Sequence, residues 1–300
     1  MNGTPADTSK DFPLLKAEHL SMSFNKGKFT AVDDISFEIK RGEVLSIVGE
    51  SGSGKTTTGR CLINLYKLTD GHVYFNGKLT NGRELKKLEF NPKIQMIFQD
   101  PVSSLNPRMT VREIIAEGLI IQGINDRSLI DKKVNDVLLK VGLLPEYAGR
   151  YPHEFSGGQK QRIGIARAII MEPELIIADE PVSALDVSIK AQVINLLDDL
   201  RREMGVSILF IAHDLSIVKY FSDRIAVMYK GKIVELAPSD ELFNNPLHAY
   251  TKSLLSAIPL PDPESEKTRK RIIYVPENEC KKNFTEVSSG HFVLMNSSGE

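Results

Sequence analysis

The chain has 300 residues, 41% hydrophobic and 26% charged, an ordinary globular balance with length for one large domain or two modest ones. Its 38 Lys and Arg against 39 Asp and Glu leave a net charge of −1, which disfavours nucleic-acid binding as the main activity because wrapping a polyanion draws on a basic excess. Two distant cysteines, Cys61 and Cys280, exclude a disulfide framework or a four-ligand zinc site, and no apolar run approaches the roughly 18 residues of a membrane span.

In chain order, the opening MNGTPADTSKDFPLL lacks a basic start followed by an apolar stretch, so no secretory signal is read and a cytoplasmic chain is expected. From about Leu14 to Ile39 apolar and polar residues alternate around turn-like Asn25-Lys26-Gly27 and Asp33-Asp34, predicting two or three antiparallel strands. Glu43–Val48 predicts a buried strand running into a glycine-rich loop, with a helix from Lys55 to about Tyr66 behind it. Short strands are expected at His72–Phe75 and Lys93–Phe98. From Thr110 to about Gly142 the pattern turns helical, with Val111, Ile114, Ile115 and Leu119 on one face and Val134, Val137, Leu138 and Val141 on another. A helix from Gly157-Gly158 to about Met171, a buried strand at Leu175–Ala178, a helix at Ser188–Met204, a second buried strand at Ser207–Ala212 and a short helix follow. Ile225–Tyr229 and Lys232–Leu236, joined by Lys230-Gly231, read as a hairpin. Pro259, Pro261 and Pro263 mark a linker, beyond which Arg271–Val275 reads as one more strand before a Ser-rich end expected to fray. Buried strands alternating with helices predict an α/β fold with a mostly parallel central sheet, interrupted by a helical insertion over about residues 100–160.

Gly49-Glu50-Ser51-Gly52-Ser53-Gly54-Lys55-Thr56 matches GxxxxGK[ST] between a predicted strand and a predicted helix, the context this phosphate-binding motif requires. By chance the pattern arises in roughly one chain per hundred of this length, and the flanking elements lower that further. Glycine N–H groups converge on phosphate oxygens there, and the helix N-terminus adds its dipole. Lys55 is placed to reach the β and γ phosphates, and the Thr56 hydroxyl to help hold Mg²⁺.

Hydrolysis needs a second acidic group for Mg²⁺ and a group that orients water. Leu175-Ile176-Ile177-Ala178-Asp179-Glu180 supplies two acids at the C-terminal end of a buried strand, where α/β sheets place ligands. Adjacent strand residues point to opposite faces, so Asp179 is assigned to the metal shell and Glu180 to polarising the water. His213 follows the strand Ser207–Ala212 and is read as a γ-phosphate contact. Gln99 follows Ile94–Phe98 and is read as a contact to Mg²⁺ or water. Phe155-Ser156-Gly157-Gly158-Gln159 offers a second anion surface, a Ser-capped helix start with two bare glycines. One chain holding one nucleotide has little use for it, so it is expected to complete the nucleotide site of a second subunit.

With these residues in hand, the chain resembles the ATP-binding subunit of an ABC transporter over about residues 14–260. The resemblance rests on the phosphate loop Gly49–Thr56, the Q-loop Gln99, the signature Ser156-Gly157-Gly158-Gln159, the acids Asp179 and Glu180, the D-loop Ser183-Ala184-Leu185-Asp186 and the switch His213, in the family's order. It implies a P-loop NTPase (RecA-like) α/β core with an N-terminal antiparallel β subdomain and an inserted α-helical subdomain. It also implies ATP and Mg²⁺ as cofactors. Ser51, Gly52, Ser53, Gly54, Thr57 and Asp186 join the nucleotide-binding set, and Phe24, with Phe29 as the alternative, is placed to stack on adenine. A head-to-tail dimer with a second ATPase subunit, two membrane permeases and an extracytoplasmic substrate-binding protein are the partners implied, at the cytoplasmic face of the cell membrane.

A finer resemblance is to the oligopeptide/dipeptide/nickel importer branch. Gln99–Arg108, Tyr151-Pro152-His153-Glu154-Phe155 and Asn245-Pro246-Leu247-His248-Ala249-Tyr250-Thr251, with the Ser253–Pro259 helix end, carry it, and residues 261–300 read as that branch's C-terminal extension. Peptides are the implied cargo, with nickel or another small solute as the alternative. Some members carry a cysteine cluster in the extension that is proposed to bind iron and sulfur; Cys280 stands alone here, so no metal cluster is expected. A non-transport ABC ATPase is the rival within the fold, disfavoured by a single core in a near-neutral chain.

Overall fold

The structure is a computed structural model that describes residues 12–25, 27–80, 92–183, 185–258, 271–275 and 282–296. The N-terminal alternation becomes β1 (Leu15–Phe24) and β2 (Phe29–Ile39), an antiparallel pair. The chain then enters the core as β3 (Val44–Val48), passes the phosphate loop into α1 (Lys55–Leu62), and returns to the first sheet as β4 (Asp70–Phe75) and β5 (Lys78–Leu79). The first helix stops four residues before the expected Tyr66, where Asn64 adopts a left-handed backbone (φ 58°) that cannot continue a helix.

Next come β6 (Ile94–Ile97), the short α2 (Pro101–Ser104), α3 (Val111–Ile121), α4 (Arg127–Lys140) and α5 (Gly157–Ile169). Thr110 and Glu113 form a reciprocal capping box at α3, and Asp126 caps α4, which fixes where each helix begins. Strands β7 (Leu175–Asp179), β8 (Ser207–Ala212) and β9 (Arg224–Tyr229) alternate with α6 (Val187–Met204) and α7 (Leu215–Phe221). In the large sheet β9, β3, β8, β7 and β6 lie side by side in that order and run parallel.

The unbroken apolar runs of these strands follow from burial on both faces. Val44, Val48, Ile176, Ala178, Ile208 and Phe210 enter one core, shared with α3 to α7. Their neighbours Leu45, Ile47, Leu175, Ile177, Leu209 and Ile211 enter the other, shared with the N-terminal sheet and α1. Each fully buried Val, Leu, Ile or Phe of this set contributes about 1.5–3 kcal/mol, which holds the strand ends in place.

Two expectations for the end of the chain are corrected. After β10 (Lys232–Pro238), α8 (Ser239–Asn244) and α9 (Ala249–Ser256), residues Arg271–Val275 form no strand. Their backbone is held by helix side chains instead: Ser253 Oγ donates to the Ile272 carbonyl (2.7 Å), and Ile272 N–H donates to Ser256 Oγ (2.9 Å). Nor does the described part of the Ser-rich end fray. Strands β11 (Lys282–Ser288) and β12 (His291–Asn296) form a hairpin, and β12 pairs with β10 to widen the large sheet. His291 is fully buried, with Nε2 at 2.8 Å from Glu235 Oε1. The same carboxylate accepts the backbone N–H groups of Leu247 (2.7 Å) and His248 (3.0 Å). Stripping such a buried group of its partner costs about 1–3 kcal/mol, so this contact ties the hairpin to the core and to the start of α9.

Candidate functional site

Parallel register decides which residues meet. Val48 lies beside Ala212, Asp179 beside Ile211, and Ala178 beside Ile97. The phosphate loop, His213, Glu180 and Gln99 therefore leave the sheet along a single edge.

The loop itself is shaped by close approaches. A Cβ on Gly49 would lie 2.1 Å from the Met228 carbonyl oxygen, and one on Gly54 2.2 Å from that of Ala31; both residues also have positive φ. Ser53 N–H donates to the Glu50 carbonyl (3.2 Å), and Gly231 N–H donates to that of Ser53 (2.9 Å), so the Lys230-Gly231 turn supports the loop from behind. Gly54 caps α1 without a side chain, leaving the helix N-terminus bare for an anion. Lys55 Nζ donates to the carbonyls of Gly49 and Glu50, each at 2.8 Å. Burial pulls its pKa below the ordinary lysine value, opposed by the Glu180, Asp179 and Glu50 carboxylates. Ser53 Oγ is buried with no hydrogen-bond partner.

The two acids part as adjacent residues at a strand end should. Asp179 is fully buried; its Oδ1 accepts from Thr56 Oγ1 at 2.8 Å while Oδ2 has no partner. Burial raises its pKa, and the Thr56 hydrogen bond opposes that rise. Glu180 continues the ladder by donating its N–H to the Ile211 carbonyl (2.9 Å), then turns to φ 45°. A left-handed backbone costs a non-glycine residue about 1–2 kcal/mol, and here it accompanies a carboxylate aimed at two other site residues. Gln99 Nε2 donates to Glu180 Oε2 (2.9 Å), and His213 Nδ1 lies 3.4 Å from the same oxygen.

These groups line a cleft of about 350 Å³, with Ser51, Gly52, Lys55, Thr56 and Thr57 on the loop side and Gln99, Glu180 and His213 opposite. Phe29 and Ala31 of β2 form a further wall. Phe24, the first choice for the adenine stack, does not line the cleft: its ring meets Tyr66 edge-on (5.4 Å, 90°) and packs on the core. Phe29, its cross-strand partner, is exposed and lies in the cleft wall.

Mg²⁺ takes few protein oxygens and fills the rest of its octahedron with phosphate and water. A buried Asp179 Oδ2 lacking a partner, next to the Thr56 hydroxyl, fits that demand.

The signature lies elsewhere on the surface. Ser156 Oγ accepts from Gln159 N–H (3.3 Å) and Gln159 Oε1 accepts from Ser156 N–H (3.0 Å), a capping box opening α5. Gly157 is exposed and Gly158 half-buried, and a Cβ on Gly158 would meet Ile189 Cγ2 of α6 at 2.8 Å. Asp186 caps α6 without a side-chain hydrogen bond and is exposed. None of these residues lines the cleft. Ala184 of the D-loop and Cys280 lie outside the described residues. Sequence reading did not place Met228 and Gly231 behind the loop, nor Tyr250, whose Oη accepts the Glu50 N–H at 3.2 Å.

A phosphate loop, two divergent acids at the end of another strand of the same parallel sheet and a separate glycine signature on an inserted helical element define an ABC ATPase. The chain belongs to the ABC transporter family: that family's model matches residues 32–183, and the model described as the C-terminal region of oligopeptide/dipeptide transporters matches residues 234–283. It is 60% identical to the oligopeptide transport ATP-binding protein OppF of Bacillus subtilis over 291 residues, 94% of this chain and 95% of that one. Identity is 53% to OppF of Streptococcus mutans, covering 94% of each chain, and 51% to the oligopeptide transport ATP-binding protein AmiF of Streptococcus pneumoniae, covering 94% and 95%. Among solved structures, cbiO1 of Clostridium perfringens, part of the transporter complex cbiONQ, matches with a TM-score of 0.69 at 30% identity, covering 78% of this chain and 91% of that one. The dimeric ATP-binding cassette MJ0796 in a post-hydrolysis state with ADP and Pi matches with a TM-score of 0.67 at 30% identity, covering 75% and 98%. The chain is thus an ATPase whose hydrolysis is coupled to transport.

Proposed function

We propose that this chain powers import of oligopeptides from the cytoplasmic face of the cell membrane, attached through two permeases that receive cargo from an extracytoplasmic binding protein. The observation that carries the reading is one chain holding both a complete nucleotide edge and the C-terminal region of oligopeptide/dipeptide transporters. No helix among the described residues is long and apolar enough to cross a membrane. A groove between the core and the helical insertion, with Ile63, Leu65, Phe98, Ile121 and Met171 beside the polar Gln95, Glu117, Gln122 and Arg167, offers a seat for a short permease helix. It begins at Phe98, next to Gln99, so nucleotide state and permease contact share one loop.

In this reading Phe29 carries the adenine, the loop N–H groups and Lys55 take the β and γ phosphates, and Thr56 with Asp179 holds Mg²⁺. When bound there, Mg²⁺ would supply charge neutralisation to the phosphates. Glu180 Oε2, already held by Gln99, orients the attacking water and accepts its proton, and His213 reaches the γ-phosphate. The signature Ser156–Gln159 lies outside its own chain's cleft, and in this reading it serves the site of a second ATPase subunit packed head to tail.

The test is uptake in cells lacking only this subunit. Accumulation of a labelled tri- to pentapeptide should fall to background and return with the wild-type chain, while nickel uptake stays unchanged. Loss of nickel uptake with intact peptide uptake would make the cargo a small solute instead.

A further inference from the structure

Among the described residues, the phosphate loop touches the C-terminal region at one polar contact. Glu50, second residue of the loop, donates its N–H to Tyr250 Oη at 3.2 Å, while its carbonyl accepts from Lys55 Nζ (2.8 Å) and from Ser53 N–H (3.2 Å). Both ends of one loop residue are therefore fixed, one by the loop's own lysine and the other by α9.

Tyr250 is built into a rigid mount. It is 2% exposed, and its ring packs on Tyr229 of β9 (centroids 4.3 Å apart) and Tyr274 of the 271–275 strap (5.5 Å), which also meet each other (5.3 Å). The strap is itself fastened to α9 by Ser253 and Ser256. At the start of α9, His248 Nδ1 accepts the Tyr250 N–H (3.1 Å), and the backbone N–H groups of Leu247 and His248 end on the buried Glu235, which His291 of the terminal hairpin also holds. Burial pushes the phenol pKa up to about 12, so the hydroxyl stays neutral throughout the physiological range.

We infer that Tyr250 is a positioning residue for ATP binding: its hydroxyl fixes the Glu50 peptide and so pre-organises the phosphate loop, making the C-terminal region part of the nucleotide site. A loop held in its binding conformation before the ligand arrives avoids an ordering cost on binding. Loss of one neutral hydrogen bond of this kind corresponds to about three- to tenfold in affinity. The inference rests on the proposal that the cleft binds ATP.

The test compares Tyr250→Phe with Tyr229→Phe, which removes a hydroxyl from the neighbouring ring of the same cluster. Three readouts are taken on the full chain and the assembled transporter: the Kd for ATP, the KM and kcat of hydrolysis, and amide exchange at Glu50. Tyr250→Phe should raise Kd and KM about three- to tenfold with kcat within about twofold, and the Glu50 amide should exchange faster. Tyr229→Phe should move none of these. Equal Kd, KM and Glu50 exchange in wild type and Tyr250→Phe would overturn the inference, as would a fall in kcat and thermal midpoint at unchanged KM. A wild-type chain that binds no ATP would instead sink the functional reading, while Glu50 exchange still reports on the hydrogen bond.

Discussion

Glu180→Gln is expected to lower ATP turnover of the assembled transporter by about 10²- to 10⁴-fold while ATP still binds, because the variant keeps size and polarity but no longer offers a carboxylate to accept the water's proton. Its surroundings favour an effect on chemistry over folding. The backbone N–H of residue 180 stays bonded to the Ile211 carbonyl, and the left-handed φ of 45° is as accessible to Gln as to Glu. Steady-state ATPase rates alongside a nucleotide-binding titration check it. Near-normal turnover would remove Glu180 from the catalytic role and leave His213 as the group to examine. Because Glu180, His213 and the signature are all intact, the subunit is expected to supply working halves to both composite sites.

Lys55→Ala should have the second large effect, on binding rather than on the chemical step. A charge-assisted hydrogen bond is worth about 1.5–3 kcal/mol, so losing the ammonium should weaken ATP binding by at least about tenfold and abolish ATP-dependent uptake. The fold should survive. Lys55 is buried at a desolvation cost that holds its pKa down, and Ala removes that cost together with two contacts to loop carbonyls. Circular dichroism and a thermal melt separate the two effects. Full transport by the folded variant would refute the loop's role.

Residues that meet through regular parallel pairing were readable from the chain alone. A buried strand that runs into the phosphate loop at Gly49, or into a polar side chain within two residues at Gln99, Glu180 and His213, is visible in the chain, and parallel register brings such ends to one edge whatever the intervening sequence. The N-cap at Ser156 was readable from local sequence, while the reciprocal bond from Gln159 that completes a capping box is seen in the structure. Phe24 and Phe29 were not separable, because they oppose each other across one hairpin, and what distinguishes their surroundings is Tyr66, far along the chain, whose ring meets Phe24 edge-on.

The strap and the terminal hairpin escaped for a related reason. Arg271–Val275 has strand-like residues, but the backbone partners it finds are serines of α9, and the chain that turns back at Ser288–His291 finds the edge of β10 and the buried Glu235, both distant in sequence. Tyr250 lies within Asn245–Thr251, which reads locally as the mark of a transporter branch; its bond to Glu50 spans 200 positions and leaves no trace in either local pattern.

The decisive measurement is ATP hydrolysis by the complex reconstituted in proteoliposomes with its binding protein, with and without peptide on the binding-protein side. Peptide-loaded binding protein should raise hydrolysis several-fold over the unloaded protein, with peptide accumulating across the bilayer, and both should vanish with Glu180→Gln. Hydrolysis indifferent to peptide, with no accumulation, would contradict an oligopeptide importer driven by this subunit.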